Sequence, residues 1–193
     1  MGIDEAGRGP LAGPVVVAAV LLPKDFDATG IRDSKKLTAR QRELFAEKIL
    51  STAVTAIEVV EANVIDDINI LAATFRGMVT AAHRIARLHP DVTALVDGNQ
   101  IPKGMPVPTA SLVNGDDHDA AIAAASILAK TTRDQIMDHW SKTYPGYGFD
   151  SHAGYYCPSH IEALKRLGPC PIHRRSFEPI KSMVEQPCLT LGL

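Results

Sequence analysis

The chain has 193 residues, enough for one domain with a substantial core. Hydrophobic residues at 46% and charged residues at 22% exclude a disordered chain, and 14 glycines with 13 prolines exclude a collagen-like one. A formal net charge of −2 removes a globally basic surface as an argument for nucleic-acid binding and leaves only local patches.

The longest apolar stretch, Leu11 to Pro23, is too short to span a bilayer and is broken by Gly13 and Pro14. No basic segment precedes it, so no secretory signal is expected. Cys157, Cys170 and Cys188 are too few for a disulfide framework, which makes a reducing cytoplasm the expected compartment.

In chain order, Ile3 to Glu5 and the Val-dense Pro14 to Leu22 read as strands, joined by a turn-rich connection through Gly7, Gly9, Pro10 and Gly13. Thr38 is placed to cap a helix running to about Leu50, with Leu44, Ile49 and Leu50 on its apolar side. Ala53 to Val60 reads as a third strand, and two or more helices fill Ala62 to Leu88 before His89-Pro90 ends them. Val92 to Asp97 is a short apolar strand, and Pro102 to Leu112 is irregular with room for another. Asp117 to about Ser141 reads as one long helix, with Ile122, Ala125, Ala129, Thr132 and Ile136 on one side. Pro145 to Gly154 reads as loop, Pro158 to Leu167 as a short helix, and the remainder as a basic tail. This order suggests an α/β domain around a mixed sheet.

Three acidic elements stand out. Asp4 and Glu5 are adjacent in a strand, where neighbouring side chains point to opposite faces. Either the backbone is irregular there, or one of them works from a strand end. Asp97 ends an apolar strand at Asp97-Gly98, where an acid serves either an α/β active site or a simple Asx turn. Asp116, Asp117 and Asp119 precede the long helix, and helix capping explains only part of that cluster. Carboxylates at element ends suit a hard divalent cation with oxygen ligands. Two such cations, ~3.5–4 Å apart, would clamp both oxygens of a phosphoryl transfer.

Gly7-Arg8-Gly9 lacks the spacing of a dinucleotide fingerprint, and no Walker A pattern occurs. The turn suits close backbone approach to a phosphate or sugar, with Arg8 as a charged fork. Cys157-Pro158-Ser159-His160 and Cys170-Pro171-Ile172-His173 have zinc-like spacing, but His160 falls inside a helix, so ordinary semi-buried residues are the favoured reading. Locally basic segments run from Arg32 to Lys48 and from His160 to Lys181. In the second, Arg174 and Arg175 are expected in a phosphate-binding tail, and Tyr155 and Tyr156 could stack on a sugar or base.

The run Gly2-Ile3-Asp4-Glu5-Ala6-Gly7-Arg8-Gly9-Pro10-Leu11-Ala12-Gly13-Pro14-Val15-Val16 resembles the opening motif of bacterial ribonuclease HII. The resemblance continues through Asp33-Ser34-Lys35-Lys36-Leu37, Val96-Asp97-Gly98, Gly115-Asp116, Ala124 to Lys130, Arg133-Asp134, Gly154-Tyr155 and Pro171 to Phe177. It implies a ribonuclease H-like mixed sheet flanked by helices, in a single domain over residues 1–193, with about 145–193 as a C-terminal substrate-binding helical extension. It also implies metal-dependent endonucleolytic cleavage of RNA in RNA–DNA hybrids, and 5′ of single ribonucleotides in duplex DNA, leaving 3′-hydroxyl and 5′-phosphate ends. By the resemblance, Asp4, Glu5, Asp97 and Asp116 are the catalytic, metal-binding carboxylates, with Asp117 and Asp119 as capping or accessory acids. Mg²⁺ or Mn²⁺ is the implied cofactor. Gly7, Arg8 and Gly9, aided by Tyr155, would read the 2′-hydroxyl, with Arg174 among the substrate-binding residues.

The implied partners are RNA–DNA hybrid and ribonucleotide-containing duplex, with no membrane and a monomeric chain. Met1 stands almost against the motif, where the family has further residues, so either a truncated N-terminus or a wrongly assigned start codon is expected, and a frayed end beside Asp4 would weaken the site. Three other readings compete: a different ribonuclease H-like phosphoryl transferase, such as a junction nuclease or integrase core; a non-catalytic hybrid-binding module; and a zinc-stabilised interaction domain.

Overall fold

The computed structural model describes residues 1–31 and 37–185. Its centre is β2 (Val15–Leu21), seven uncharged residues of which six are buried, as a strand covered on both faces requires. β1 (Gly2–Ala6) and β3 (Val54–Val60) flank it, both antiparallel. β4 (Ala94–Asp97) pairs parallel to β1, and β5 (Thr109–Leu112) parallel to β4, giving a mixed sheet in the order β3-β2-β1-β4-β5. The parallel β1–β4 pair needs a long crossover, and the three helices between them in sequence supply it.

Alternation along β1 and β2 divides the core into two layers. Ile3, Val17, Ala19 and Val96 face α3 (Ile70–Ala86) and its Met78, Ala81, Ala82 and Ile85. Val16, Ala18 and Val20 face Ile49 of α1 (Ala39–Thr52) and Ala124, Ile127 and Leu128 of α5 (Ala120–Thr143). Thr38 and Gln41 form the reciprocal cap that opens α1. The apolar side of α1 differs from the expectation. Ala46 and Ile49 are buried, with Phe45 partly so, whereas Leu44 and Leu50 are 56% and 53% exposed, because among the described residues the apolar packing of α1 runs along the Phe45, Ala46 and Ile49 line.

α2 (Ala62–Ile68) meets α3 at Asn69, whose side chain accepts the Ala72 amide. The expected single helix from Asp117 is two: α4 (Gly115–His118), then α5. Asp119 makes the break, in an extended conformation with its carboxylate accepting the amides of Ala121 and Ile122. Within the segment read as loop, Phe149–His152 forms a short helix, α6. α7 spans Pro158–Leu167, and the segment read as tail contains α8 (Ile180–Glu185). Residues of α6, α7 and α8 gather around a third apolar cluster with Leu11, Met137, Phe149, Leu164, Ile172 and Ile180, which packs this region onto the far end of α5.

Met1 is tied down at both of its backbone polar groups. Its amine donates to the Thr93 carbonyl at 2.6 Å, and its carbonyl accepts the Leu95 amide at 2.9 Å. These bonds fasten the residue preceding β1 to β4.

Candidate active site

β1 resolves the paired-acid problem at a strand end. The strand stays regular, pairing with β2 through Ala6, so Asp4 and Glu5 do point to opposite faces. Its pairing with β4, however, stops at Ile3 and Val96. One residue beyond, Asp4, Glu5 and Asp97 meet at the open end of the two strands.

Asp4 lies on the α5 face, 6% exposed, and its Oδ1 accepts the Glu5 amide at 2.7 Å. Burial first, then the charges of Glu5 and Asp97, hold its carboxyl well above the usual range, while hydrogen bonding from the Ser126 side chain on α5 works in the opposite sense. Glu5 is also raised, chiefly by burial and further by Asp97, while Arg8 opposes the shift. The Arg8 Nη1 lies 3.4 Å from Glu5 Oε1 with half of its side chain exposed. Glu5 Oε2 is buried and accepts no hydrogen bond among the described residues. Asp97 Oδ1 accepts the Gly115 amide at 2.7 Å, which ties α4 to the end of β4. The next residue, Asp116, is 3% exposed, whereas Asp117 is exposed to solvent and Asp119 caps α5.

The structure therefore brings Asp4, Glu5 and Asp97 into mutual electrostatic range and places Asp116 next to the Asp97 anchor. Among the described residues no three carboxylate, imidazole or thiol groups form a closed cation cage. What the site presents is an acid cluster in which burial and neighbouring carboxylates raise the proton affinity of Asp4 and Glu5, with one buried oxygen unsatisfied. A divalent cation fits both features.

Glu5 also lines a cavity of about 400 Å³ shared with Gly7, Ser126, Lys130, Arg133 and Tyr155. Gly7 has φ +95°, and a Cβ there would lie 2.1 Å from Arg133 Nε, so only glycine fits. Gly9 is different. Among the described residues a Cβ on it would meet only the Tyr155 ring, at 3.8 Å. Tyr155 is 44% exposed and Tyr156 67%, and only Tyr155 stands beside Gly9 and lines the cavity.

The Gly7–Pro14 connection is held from behind by two buried arginines. Arg174 is 0% exposed and donates to the carbonyls of Gly7, Arg8, Gly13 and Pro14. Arg133, 1% exposed, donates to those of Ala12, Pro14 and Ala153. Arg174 thus corrects the expectation of a phosphate-binding tail. Residues 172–174 run against 11–13, where Gly13 donates to the Ile172 carbonyl and Arg174 to that of Leu11, so the side chain points into the protein. Burial, then the charge of Arg133, pulls the Arg174 guanidinium down to about 9, still cationic at neutral pH. Its neighbour Arg175 stays exposed, with its amide bound to Asp66 at 2.8 Å.

The zinc-like spacing has another use. The Nε2 atoms of His160 and His173 bond to each other at 3.1 Å, and Cys157 Sγ lies 3.2 Å from Ser159 Oγ instead of turning to them. In the first basic segment, Arg42 and Lys130 share Asp134 at 3.4 and 2.6 Å, and Lys48 lies 3.5 Å from Asp27. Arg32 and the Asp33-Ser34-Lys35-Lys36 motif lie outside the described residues.

Two features were missed by sequence reasoning, and each left a trace. Arg133 sits at the spacing Ala125, Ala129, Arg133, Met137, a buried stripe that demands a non-solvent partner for the charge. His160 shares its buried face with Ala163 and Leu164 in the same way.

Comparison with known proteins agrees with this arrangement. The ribonuclease HII family profile matches residues 1–180. The ribonuclease HII of Endomicrobium trichonymphae is 48% identical over 191 residues, 98% of this chain and 90% of that protein. That of Chlorobaculum parvum is 51% identical over 182 residues, covering 92% and 88%. Among solved structures, the Archaeoglobus fulgidus ribonuclease HII in its complex with PCNA superposes with a TM-score of 0.78 at 28% identity, covering 92% of this chain and 94% of that one. The Pyrococcus horikoshii ribonuclease H2 gives 0.75 at 27%, covering 95% and 96%. The sheet and its flanking helices are thus a ribonuclease H-like fold, and the chain belongs to the ribonuclease HII family, with the activity of a ribonuclease H.

Proposed function

We propose that this chain cuts the RNA strand of RNA–DNA hybrids, and the 5′ side of single ribonucleotides in duplex DNA, leaving 3′-hydroxyl and 5′-phosphate ends. The observation that carries the reading is the juxtaposition of the acid cluster with the Gly7–Gly9 turn and Tyr155, through the cavity that Glu5, Gly7 and Tyr155 share. A cutting centre and an open backbone surface suited to a sugar edge lie side by side.

Asp4, Glu5, Asp97 and Asp116 are the residues to hold Mg²⁺ or Mn²⁺, and the fit rests on the raised carboxyls and the unsatisfied Glu5 Oε2. Held there, two such ions would supply an activated water for in-line attack and charge stabilisation for the departing 3′-oxygen. The chain's own acids repel one another, so they take up cations and hold them at the strand ends. The substrate's own phosphate would complete the cation site, so cation affinity should rise with substrate bound. Gly9 lets the backbone approach the ribose, where a 2′-hydroxyl distinguishes RNA from DNA. Arg8 provides an exposed cation at the same edge, and Tyr155 a flat face beside it. Arg133 and Arg174 hold the turn's shape from behind. The chain acts as a monomer in the cytoplasm, with residues from about 145 onward serving as the substrate-binding extension.

The test is a duplex with one ribonucleotide, incubated with Mg²⁺, with Mn²⁺ and with EDTA beside an all-DNA control. Metal-dependent cutting only 5′ of the ribonucleotide is expected. Tight hybrid binding without turnover under either metal would replace this reading with a binding module.

A further inference from the structure

His160 and His173 are 0% and 1% exposed and belong to no part of the acid cluster. Their hydrogen bonds determine both tautomers. The Tyr155 carbonyl can only accept, so His160 Nδ1, 2.9 Å away, carries a proton. In the neutral ring His160 Nε2 is then an acceptor, and His173 Nε2, 3.1 Å away, must donate to it. At the other end the Cys170 amide donates to His173 Nδ1 at 2.9 Å, closer than the Cys170 Sγ at 3.1 Å and the Cys170 carbonyl at 3.3 Å, and this shortest contact again favours the proton on His173 Nε2. The two ends agree, and the result is a directed chain from the Cys170 N–H through His173 and His160 to the Tyr155 carbonyl.

The rest of the Tyr155 loop is held by similar means. The Ala153 carbonyl accepts from Arg133, and the Gly154 carbonyl from the Leu11 amide. His152 stacks on His160 with centroids 4.5 Å apart, accepts the Gly154 amide on Nδ1 and donates from Nε2 to the Tyr147 carbonyl. The tyrosine ring itself is 44% exposed and packs beside Gly9 with the Arg133 guanidinium 5.7 Å from its centroid, so its placement is set by its backbone together with Arg133.

We propose that His160 and His173 are positioning residues for ribonucleotide selection: the imidazole relay holds the Tyr155 carbonyl and thereby sets the phenol ring at the Gly9 edge. The proposal rests on the reading of Gly7–Gly9 and Tyr155 as the surface that contacts the 2′-hydroxyl. An apolar residue at 160 could fill the space beside Phe149, but it would leave the Tyr155 carbonyl without this donor.

The experiment measures kcat/KM of the full chain on a duplex with one embedded ribonucleotide. It compares His160→Leu, His160→Asn and His173→Gln, each alone and combined with Tyr155→Ala, with folding checked by circular dichroism. His160→Leu is expected to lower kcat/KM about tenfold, the effect of one misplaced hydrogen-bonded contact. In the Tyr155→Ala background it should cost nothing more, because the ring it positions is gone. His160→Asn puts an amide nitrogen where Nδ1 stood and should recover most of the loss. A purely structural role predicts losses that add to that of Tyr155→Ala, and additivity overturns the proposal. Failure of His160→Asn to recover activity in a folded chain does the same. Should His160→Leu fail to fold, the same cycle run with His173→Gln decides between coupling and additivity. A wild-type chain that does not cut the duplex overturns the functional reading itself, and the relay's role in selection with it.

Discussion

Replacing Arg174 by methionine tests the idea that a buried cation, and not packing alone, shapes the Gly7–Pro14 turn. Arg174 donates to four backbone carbonyls and has no exposed surface. A hydrogen bond from a charged donor contributes about 1.5–3 kcal/mol net, so four are worth roughly 6–12 kcal/mol. The guanidinium's own burial works against them. Its fall to about 9 from the ordinary guanidinium range corresponds to about 5 kcal/mol at about 1.36 kcal/mol per decade. The balance is a loss of roughly 1–7 kcal/mol, centred near 4, against a typical total of about 5–15 kcal/mol. At about 2–4 °C per kcal/mol for a chain of this size, Tm should drop by roughly 8–16 °C. Thermal melts followed by circular dichroism measure it, with the half-exposed Arg8→Met as the comparison. Arg8→Met should leave Tm within about 1–2 °C, the range of surface changes, while reducing cleavage. A Tm drop below about 3 °C for Arg174→Met, or equal drops for the two variants, would refute the clamp.

Gly9→Ala should fold normally, since among the described residues its methyl group would meet only the Tyr155 ring at 3.8 Å, yet lose at least tenfold in kcat/KM on a single-ribonucleotide duplex; unchanged kinetics would remove Gly9 from the substrate surface. Asp97→Asn and Asp116→Asn should each abolish turnover while leaving hybrid affinity, measured by fluorescence anisotropy with EDTA present, within about threefold; loss of binding would count against their catalytic assignment. Burial, and the neighbouring His160 and His152, depress His173 from 6.5 to about 4, with Cys170 and Tyr147 also facing it. A depressed histidine contributes stability that is complete above about pH 6.5 and is lost as pH falls toward 4. Urea melts over that window should therefore show up to ~3 kcal/mol of loss, and His173→Gln should flatten that part of the slope.

How far the sequence spoke depended on whether a feature was local. The Val-rich run of β2, the Thr38 cap and the proline-led α7 follow from neighbours within one turn or one strand, and they were legible. Legible too was the acidic character of the strand ends, although the reason Asp4 and Glu5 can cooperate was not. That reason is the termination of β1–β4 pairing at Ile3 and Val96, a fact about two segments far apart in the chain. Arg174 was misread for the same cause. Between His173 and Arg175 it looks like part of a basic tail, and only the return of 172–174 alongside 11–13 turns it inward. The break at Asp119 shows the opposite failure. Its side chain competes locally for the amides of Ala121 and Ile122, and helical periodicity alone is blind to that competition.

The Arg174 clamp also has a consequence in time. Its bond to the Gly7 carbonyl joins residues 167 apart in sequence. At about 5–20 residues per second, a ribosome needs roughly 8–33 s to make the second after the first. Throughout that interval the nascent chain carries Asp4 and Glu5 without the brace behind the adjacent turn. Stalled nascent chains that end before Arg174 leaves the exit tunnel are accordingly expected to show no cleavage, and chains extended past it to gain activity abruptly. The order of synthesis then delays nuclease activity until Arg174 has been made and has left the tunnel.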